Sequence, residues 1–310
     1  EDACASSGVA FREGLIAVAS GLYDIVLVGG IEKMTDLPTA RVTDTLATAA
    51  DVTYETPAGF TFPGLYASMA TADLHAYGAT PEAFLKVGLK NHENGALNPK
   101  AQFGQRIADI IEARKASAAK KGKPIPTWAD ELAFLNDERA NPVIAWPLRL
   151  YDCSPISDGA AALLLVSEEL ARRFTDAPLY VSGSGQASDG ATHDRPTLTG
   201  IPAAQRAAQL AYAMAGVTAA DIQLAEVHDC FTIAEIMATE DLGFFAPALA
   251  RREEAQDLCR HDFSDGEAVV DFGQLDVRGG DNGHRVSKLR RALRGRNARA
   301  GRAIVRREAD

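Results

Sequence analysis

The sequence predicts an α/β protein made of two similar halves, with a loop-rich insertion in the first. Three observations point there. Short apolar runs that read as buried strands, DIVLVGG (Asp24–Gly30), AAALLLV (Ala160–Val166) and LYVSGSG (Leu179–Gly185), are each followed or preceded by helix-period segments. Residues with reactive side chains stand at two helix mouths, Cys4 in the first half and His228-Asp229-Cys230 in the second. Between Thr35 and about Arg149 the strand–helix order gives way to short helices and loops. In open α/β sheets ligands gather at the carboxyl ends of strands, so both helix mouths are candidate sites.

The elements follow in order. Val9–Ser20 has apolar residues at Leu15, Ile16 and Ala19 and predicts a helix, which the strand Asp24–Gly30 follows. A strand normally feeds a turn like that of Cys4, and the chain begins only a few residues before it, so the pattern predicts a fragment without its opening strands and with an exposed sheet edge. In the insertion, Gly64–Tyr77 reads as a helix, Thr80-Pro81-Glu82 as a helix start with Thr80 as cap, and Ile107–Lys120 as a helix with a basic end. Lys115, Lys120, Lys121 and Lys123 there read more simply as a solvated face than as a phosphate site. After LYDCSPISDG comes the strand Ala160–Val166, with Ser167 capping a helix (SEELARRF). The strand Leu179–Gly185, a helix Ala203–Ala215, a strand end at Ala225–His228 and a helix from Thr232 complete the second half.

Three hundred and ten residues can bury a large core and suit two domains or one large one. No apolar run approaches membrane-spanning length and no signal peptide is evident. Cys4, Cys153, Cys230 and Cys259 are widely spaced, which disfavours a zinc site or a disulfide scaffold and predicts a cytoplasmic protein. A net charge of −10 argues against nucleic acid as a partner. That charge is uneven. Arg278–Asp310 holds 11 Lys and Arg against 3 Asp and Glu, a net +8, which leaves −18 on residues 1–277. A solvated basic tail, an anion-binding arm and a damaged reading frame each fit this break.

Cys4 lies where a nucleophile would. Unpaired N–H groups at a helix mouth favour thiolate over thiol, and an ordinary thiol with a pKa of about 8.5 is only a few per cent ionised at neutral pH. A small buried hydrophobe is the other use of a lone cysteine. Here Ala3, Ala5, Ser6, Ser7 and Gly8 leave room for a substrate at the sulfur. His228, Asp229 and Cys230 set an imidazole, a carboxylate and a thiol in consecutive positions, and both imidazole and thiol can move protons near neutral pH. Together with Cys4 they form a nucleophile and acid/base set.

The motifs that carry these residues resemble the thiolase family, in particular its sterol-carrier-protein-type and archaeal-type acetyl-CoA acetyltransferase branch. They are DACASSG around Cys4, GGIEKMTD (Gly29–Asp36), TFPGLYASMA with YGATPE, LKNHENGALNPKAQF (Leu89–Phe103), PLRLYDCSPISDGAAALLL (Pro147–Leu165) and EVHDCFTIAE (Glu226–Glu235). They run in the family's order from Asp2 to about Phe244, and HDCF separates this branch from thiolases with an NEAF-type motif. The resemblance implies the thiolase fold, with 1–35 and 151–176 as the first half, 36–150 as the loop domain and 177–310 as the second half. It implies acyl transfer in lipid and acyl-CoA metabolism. Cys4 would carry the acyl group, His228 would help form an oxyanion hole, and Cys230 would move the α-proton of acetyl-CoA. Met34 and Asn91-His92 fall in matching motifs as pocket or packing residues, while His75 and His92 read as structural. CoA thioesters enter as substrates, with no metal or prosthetic group implied. A homodimer or tetramer is expected, with a small OB-fold protein as a possible partner. No nucleic acid and no membrane insertion are expected.

The resemblance thins at the C-terminus. The family's glycine-rich stretch carries a histidine that activates the nucleophile, and Gly279-Gly280 with Gly283-His284 echoes it. The spacing is two residues short, and Arg285 stands where the family has proline. His284 is thus the doubtful counterpart of that histidine, and the arginine-rich stretch after it is what a frameshift in a GC-rich gene leaves. A catalytically impaired acyl-CoA-binding subunit, or a truncated gene product, is the alternative reading.

Overall fold

The computed structural model describes residues 2–78 and 80–245, and the backbone of 301–305. Helix α1 (Ser6–Ala19) leads through a turn into β1 (Ile25–Glu32), as the apolar spacing predicts. Strand β1 pairs antiparallel with β4 (Gly159–Ser167) over its whole length, from Ile25 opposite Val166 to Glu32 opposite Gly159. Strand β6 (Gly301–Val305) runs parallel between β4 and β5 (Leu179–Val181), so the sheet order is β1-β4-β6-β5. Helix α1 packs Phe11 and Val18 against Val28, Leu163 and Leu165. The helix sits close to the sheet at Gly14, where a Cβ would come within 2.6 Å of Val28 Cγ2.

Everything between β1 and β4 is one insertion. It contains α2 (Thr39–Leu46), α3 (Phe62–Tyr77), α4 (Pro81–Gly95), α5 (Ile107–Lys120), α6 (Glu131–Asn136) and a small ribbon of β2 (Val143–Ala145) and β3 (Leu148–Arg149). Its two ends are clasped by Asp158, which accepts from Lys33 Nζ (2.7 Å), the backbone N–H of Met34 (2.8 Å) and Thr35 (2.9 Å), and the Thr35 hydroxyl (2.6 Å). Those bonds hold its carboxyl well below the usual carboxylate range, the Lys33 bond contributing most. One insertion core joins α4, α5 and α6 through Leu85, Leu89, Ile107, Ile111, Phe134 and Leu135. A second core brings α3 and α4 (Met69, Ala70, Phe84) onto α9 (Thr232–Asp241) through Ile233, Ile236 and Met237. The insertion and the second half therefore share a hydrophobic interior, which anchors α9 and the residues just before it.

Several elements differ from the sequence reading. Thr80 occupies the N-cap position of α4 and Pro81 its first turn, but the Thr80 side chain accepts no helix N–H. Ser167 does not cap either. It is the last residue of β4, 1% exposed, with its Oγ unpartnered, and α7 (Glu168–Ala171) is a single turn. Strand β5 stops at Val181, because the next residues press against α8 (Pro202–Ala215): a Cβ on Gly183 or Gly185 would overlap the carbonyl oxygens of Ala211 and Ala207. The strand expected at Ala225–His228 is absent among the described residues, since no described strand lies beside it to complete a ladder. Within the basic stretch, Ala303, Ile304 and Val305 supply the short apolar run that pairs as β6.

Candidate active site

Cys4 stands on a 3₁₀ turn, Ala3–Ala5, that runs straight into α1. The turn is tied on itself. The Asp2 N–H donates to Ser6 Oγ (2.8 Å), Ser6 Oγ donates to the Ala3 carbonyl (2.8 Å), and the Ala5 N–H donates to the Asp2 carbonyl (2.9 Å). Ala3 adopts φ 44°, the left-handed region that a residue with a Cβ avoids. Backbone held in that region costs on the order of 1–3 kcal/mol and gathers at functional sites. It presents Cys4, which is exposed, at the positive end of α1. A cavity of about 170 Å³ opens beside the turn, lined by Asp2, Ala5 and Gly8 on one side and Gly185 and Ala207 on the other. Arg12 of α1 spans the same junction, donating to the Ser184 carbonyl (3.2 Å) and hydroxyl (3.1 Å).

The second constellation forms a corner ahead of α9. Phe231 is the residue before the helix and bridges Cys153, and the Ser154 N–H donates to the Cys230 carbonyl at 2.9 Å. His228 is exposed on this corner, while Asp229 and Cys230 are half-buried. Tyr66, on α3, stacks on Phe231 (centroids 4.6 Å, 25° between planes). Its phenol is pushed well above the usual range, first by burial, then by the charge and hydrogen bond of Cys230 and by the charge of Cys4. Tyr66, Cys153 and Cys230 pack against one hydrophobic cluster with Phe231, while Cys4 lies on the turn at the mouth of α1.

Behind the corner lies a polar network. Asn91 Nδ2 donates to Asp229 Oδ2 (2.6 Å) and Glu235 Oε2 (3.3 Å), and Lys90 Nζ meets Asn91 Oδ1 (2.8 Å) and Glu235 Oε1 (2.9 Å). Burial pushes the Glu235 carboxyl up and Lys90 opposes it. Asp152 is 3% exposed, accepts from Arg149 N–H (2.8 Å) and Thr232 Oγ1 (3.1 Å), and is pushed up to about 6 by burial. Cys153 is pushed up to about 12, by burial first and then by Asp152 and Cys230, so it stays a thiol and donates to the Arg149 carbonyl (3.2 Å). Cys153 is thus held as an unreactive thiol.

His92 is structural, as its sequence context predicts. It is buried, its Nδ1 meets the Gln105 carbonyl (3.2 Å), its ring lies 5.2 Å from Phe103 and from Tyr151, and burial lowers its affinity for a proton. His75 is exposed in the last turn of α3. Met34 contributes its backbone to the Asp158 clasp. His284 and Cys259 lie outside the described residues. Sequence reasoning missed Tyr66, though its motif was in view; the signal was a phenol set among the small residues of YASMATA. It also missed the tie from Asn91 to Asp229, whose partners are 138 residues apart.

The fold carries one exposed cysteine at the mouth of α1 and a second thiol on the HDCF corner ahead of α9. Residues 1–169 match the thiolase N-terminal domain and residues 184–262 the thiolase C-terminal domain-like family, and the chain belongs to the thiolase family. It is 43% identical over 281 residues to the acetyl-CoA acetyltransferase of Methanothermobacter thermautotrophicus, covering 90% of this chain and 65% of that one. With the acetyl-CoA acetyltransferase of Methanocaldococcus jannaschii it shares 39% identity, over 79% of this chain and 56% of that one. The chain thus spans less than two thirds of the length of these relatives. Among solved structures it is similar to the Ltp2-ChsH2(DUF35) aldolase, with a TM-score of 0.61 and 26% identity over 87% of this chain and 63% of that one.

Proposed function

We propose that this chain is the catalytic part of an acyl-CoA acyltransferase of the thiolase type, moving an acyl group between CoA thioesters through an acyl-Cys4 intermediate. The observation that carries this reading is the exposed Cys4 on a turn with Ala3 at φ 44° at the mouth of α1, beside a cavity of about 170 Å³. The Cys4 thiolate attacks the thioester carbonyl, the C–S bond to CoA breaks, and CoA leaves as a thiol with the proton that Cys230 gives up in becoming a thiolate. Acetyl-CoA then loses an α-proton to the Cys230 sulfur, the resulting enolate carbon attacks the acyl-Cys4 carbonyl, and Cys4 departs as thiolate. His228, exposed on the same corner, donates a hydrogen bond to the thioester oxygen as it gains negative charge. The relatives' names support acetyl-CoA as the acyl donor.

A homodimer or tetramer, a cytoplasmic setting and a small OB-fold partner belong to the same proposal; that one similar structure is titled Ltp2-ChsH2(DUF35) aldolase supports a partner protein. Among the described residues no helix is long and apolar enough to cross a membrane. The test is incubation with acetyl-labelled CoA and mass mapping of the adduct. The expected result is label on the Cys4 peptide that disappears in Cys4→Ala. Label that persists in Cys4→Ala overturns the reading.

A further inference from the structure

Asn91 sits on α4, in the insertion, and its side chain reaches the HDCF corner, where its amide nitrogen donates to Asp229 Oδ2 at 2.6 Å. Gly88 permits the approach. It lies about one turn earlier on the same face of α4, where a Cβ would come within 2.9 Å of the Tyr151 carbonyl oxygen and 3.7 Å of the Thr232 methyl, so the helix backbone runs close to the first residue of α9. The direction of the amide is also decided. Lys90 Nζ can only donate, and it meets Asn91 Oδ1 at 2.8 Å, which turns the NH2 group toward the carboxylates of Asp229 and Glu235. Those carboxylates repel each other: burial raises the Glu235 carboxyl first, and the Asp229 charge raises it further. Asn91 stands between them as donor to both, and Lys90 holds Glu235 separately at 2.9 Å.

We infer that Asn91 is a positioning residue for the HDCF corner: its bond to Asp229 fixes the stretch of backbone that carries His228 and Cys230 on either side. The inference rests on the roles given above to His228 and Cys230. The corner is tied from two directions. The Ser154 N–H holds the Cys230 carbonyl at 2.9 Å and Phe231 bridges Cys153, while α4 holds Asp229. Without the amide, nothing from Asn91 bridges the two carboxylates, and their repulsion turns the corner away from α4. A displacement of about 1 Å in a reacting group can cost about 100-fold in rate, so a bond this far from the substrate still reaches the chemistry. The insertion thereby supplies part of the frame for the second half's catalytic groups.

The test is a double-mutant cycle of Asn91→Ala, Asp229→Ala and the pair. It is read by kcat and KM for acetyl transfer and by deuterium exchange of the peptide that covers 226–231, which needs no turnover. Loss of a hydrogen bond to a charged group is worth a factor of about 10 or more. Asn91→Ala is therefore expected to speed exchange at 226–231 about tenfold, with α1 and α5 unchanged, and to lower kcat about tenfold with KM held within about twofold. Asn91→Asp, which keeps the shape and replaces the donor by an acceptor, is expected to act in the same direction. Because Asn91 works through Asp229, the double variant is expected within about twofold of Asp229→Ala in both readouts. Effects on kcat that multiply in the double variant overturn the inference. Exchange at 226–231 that stays unchanged, or that rises equally in α1 and α5, overturns it too, as does an unchanged kcat in Asn91→Ala when Cys230→Ala is inactive. If Cys230→Ala leaves turnover intact, the acid/base role of Cys230 fails instead, while the exchange result still decides whether Asn91 holds the corner.

Discussion

Replacing Asp152 by Asn is expected to stabilise the protein at neutral pH and to leave it little changed in acid. The carboxyl is 3% exposed, and its two oxygens receive one N–H from Arg149 and one hydroxyl from Thr232. Burial outweighs those bonds and moves the group from 3.8 to about 6. A raised value means the folded chain holds this proton more tightly than the unfolded chain. The stability is therefore complete below the unfolded value, falls as pH rises through the interval, and levels off above about 6. At about 1.36 kcal/mol per pH unit the full deficit is about 3 kcal/mol. Asparagine keeps the shape and both contacts, with its oxygen accepting from Arg149 and its amide donating to Thr232 Oγ1, and carries no charge to desolvate. Urea unfolding of both chains across about pH 4 to 7.5 should show Asp152→Asn gaining about 2 kcal/mol on the parent over that range. A difference that does not change with pH, or a parent that gains on the variant as pH rises, would refute the burial argument.

Lys90→Met removes the cation opposite a buried carboxylate, and the protein should lose about 3 kcal/mol at pH about 8, with a smaller loss near pH 5 where Glu235 can take a proton. Equal losses at the two pH values in urea titrations would count against it. Gly185→Ala forces a Cβ onto the Ala207 carbonyl oxygen, so either α8 shifts or the segment after β5 bends, at about 2 kcal/mol read from the unfolding midpoint. An unchanged midpoint would mean the helix yields freely there.

The sequence was most legible where a local pattern decides the structure. Ile107–Lys120 is helical at both ends as read, because apolar spacing and the basic turn followed by a Lys-Gly-Lys-Pro breaker leave no competing state. Ser167 was misread because a serine before two acidic residues looks like a cap, whereas β4 carries it into the interior and ends there. The stretch before His228 was misread as a strand because a strand is defined by its neighbours, which a sequence window does not contain. The site divides the same way. Cys4 and Cys230 are singled out by residue type and by their place before helices. Tyr66 and Asn91 meet partners far along the chain, Phe231 and Asp229, and only the packing of α3 and α4 on α9 brings them there.

The clasp at Asp158 gives the insertion an unexpected topological status. Glu32 and Gly159 are the last paired residues of two antiparallel strands, so in the grammar of the sheet residues 33–158 amount to a single hairpin loop, however large. The entropy of closing a loop rises only slowly with its length, by about 0.6 kcal/mol for each doubling. The strands are therefore nearly indifferent to how much protein is strung between them, provided the tie from Asp158 to Lys33, Met34 and Thr35 is kept. A scaffold of this kind can exchange or resize the insertion while β1 and β4 stay in register, which makes the loop domain a cassette and the clasp its fastener.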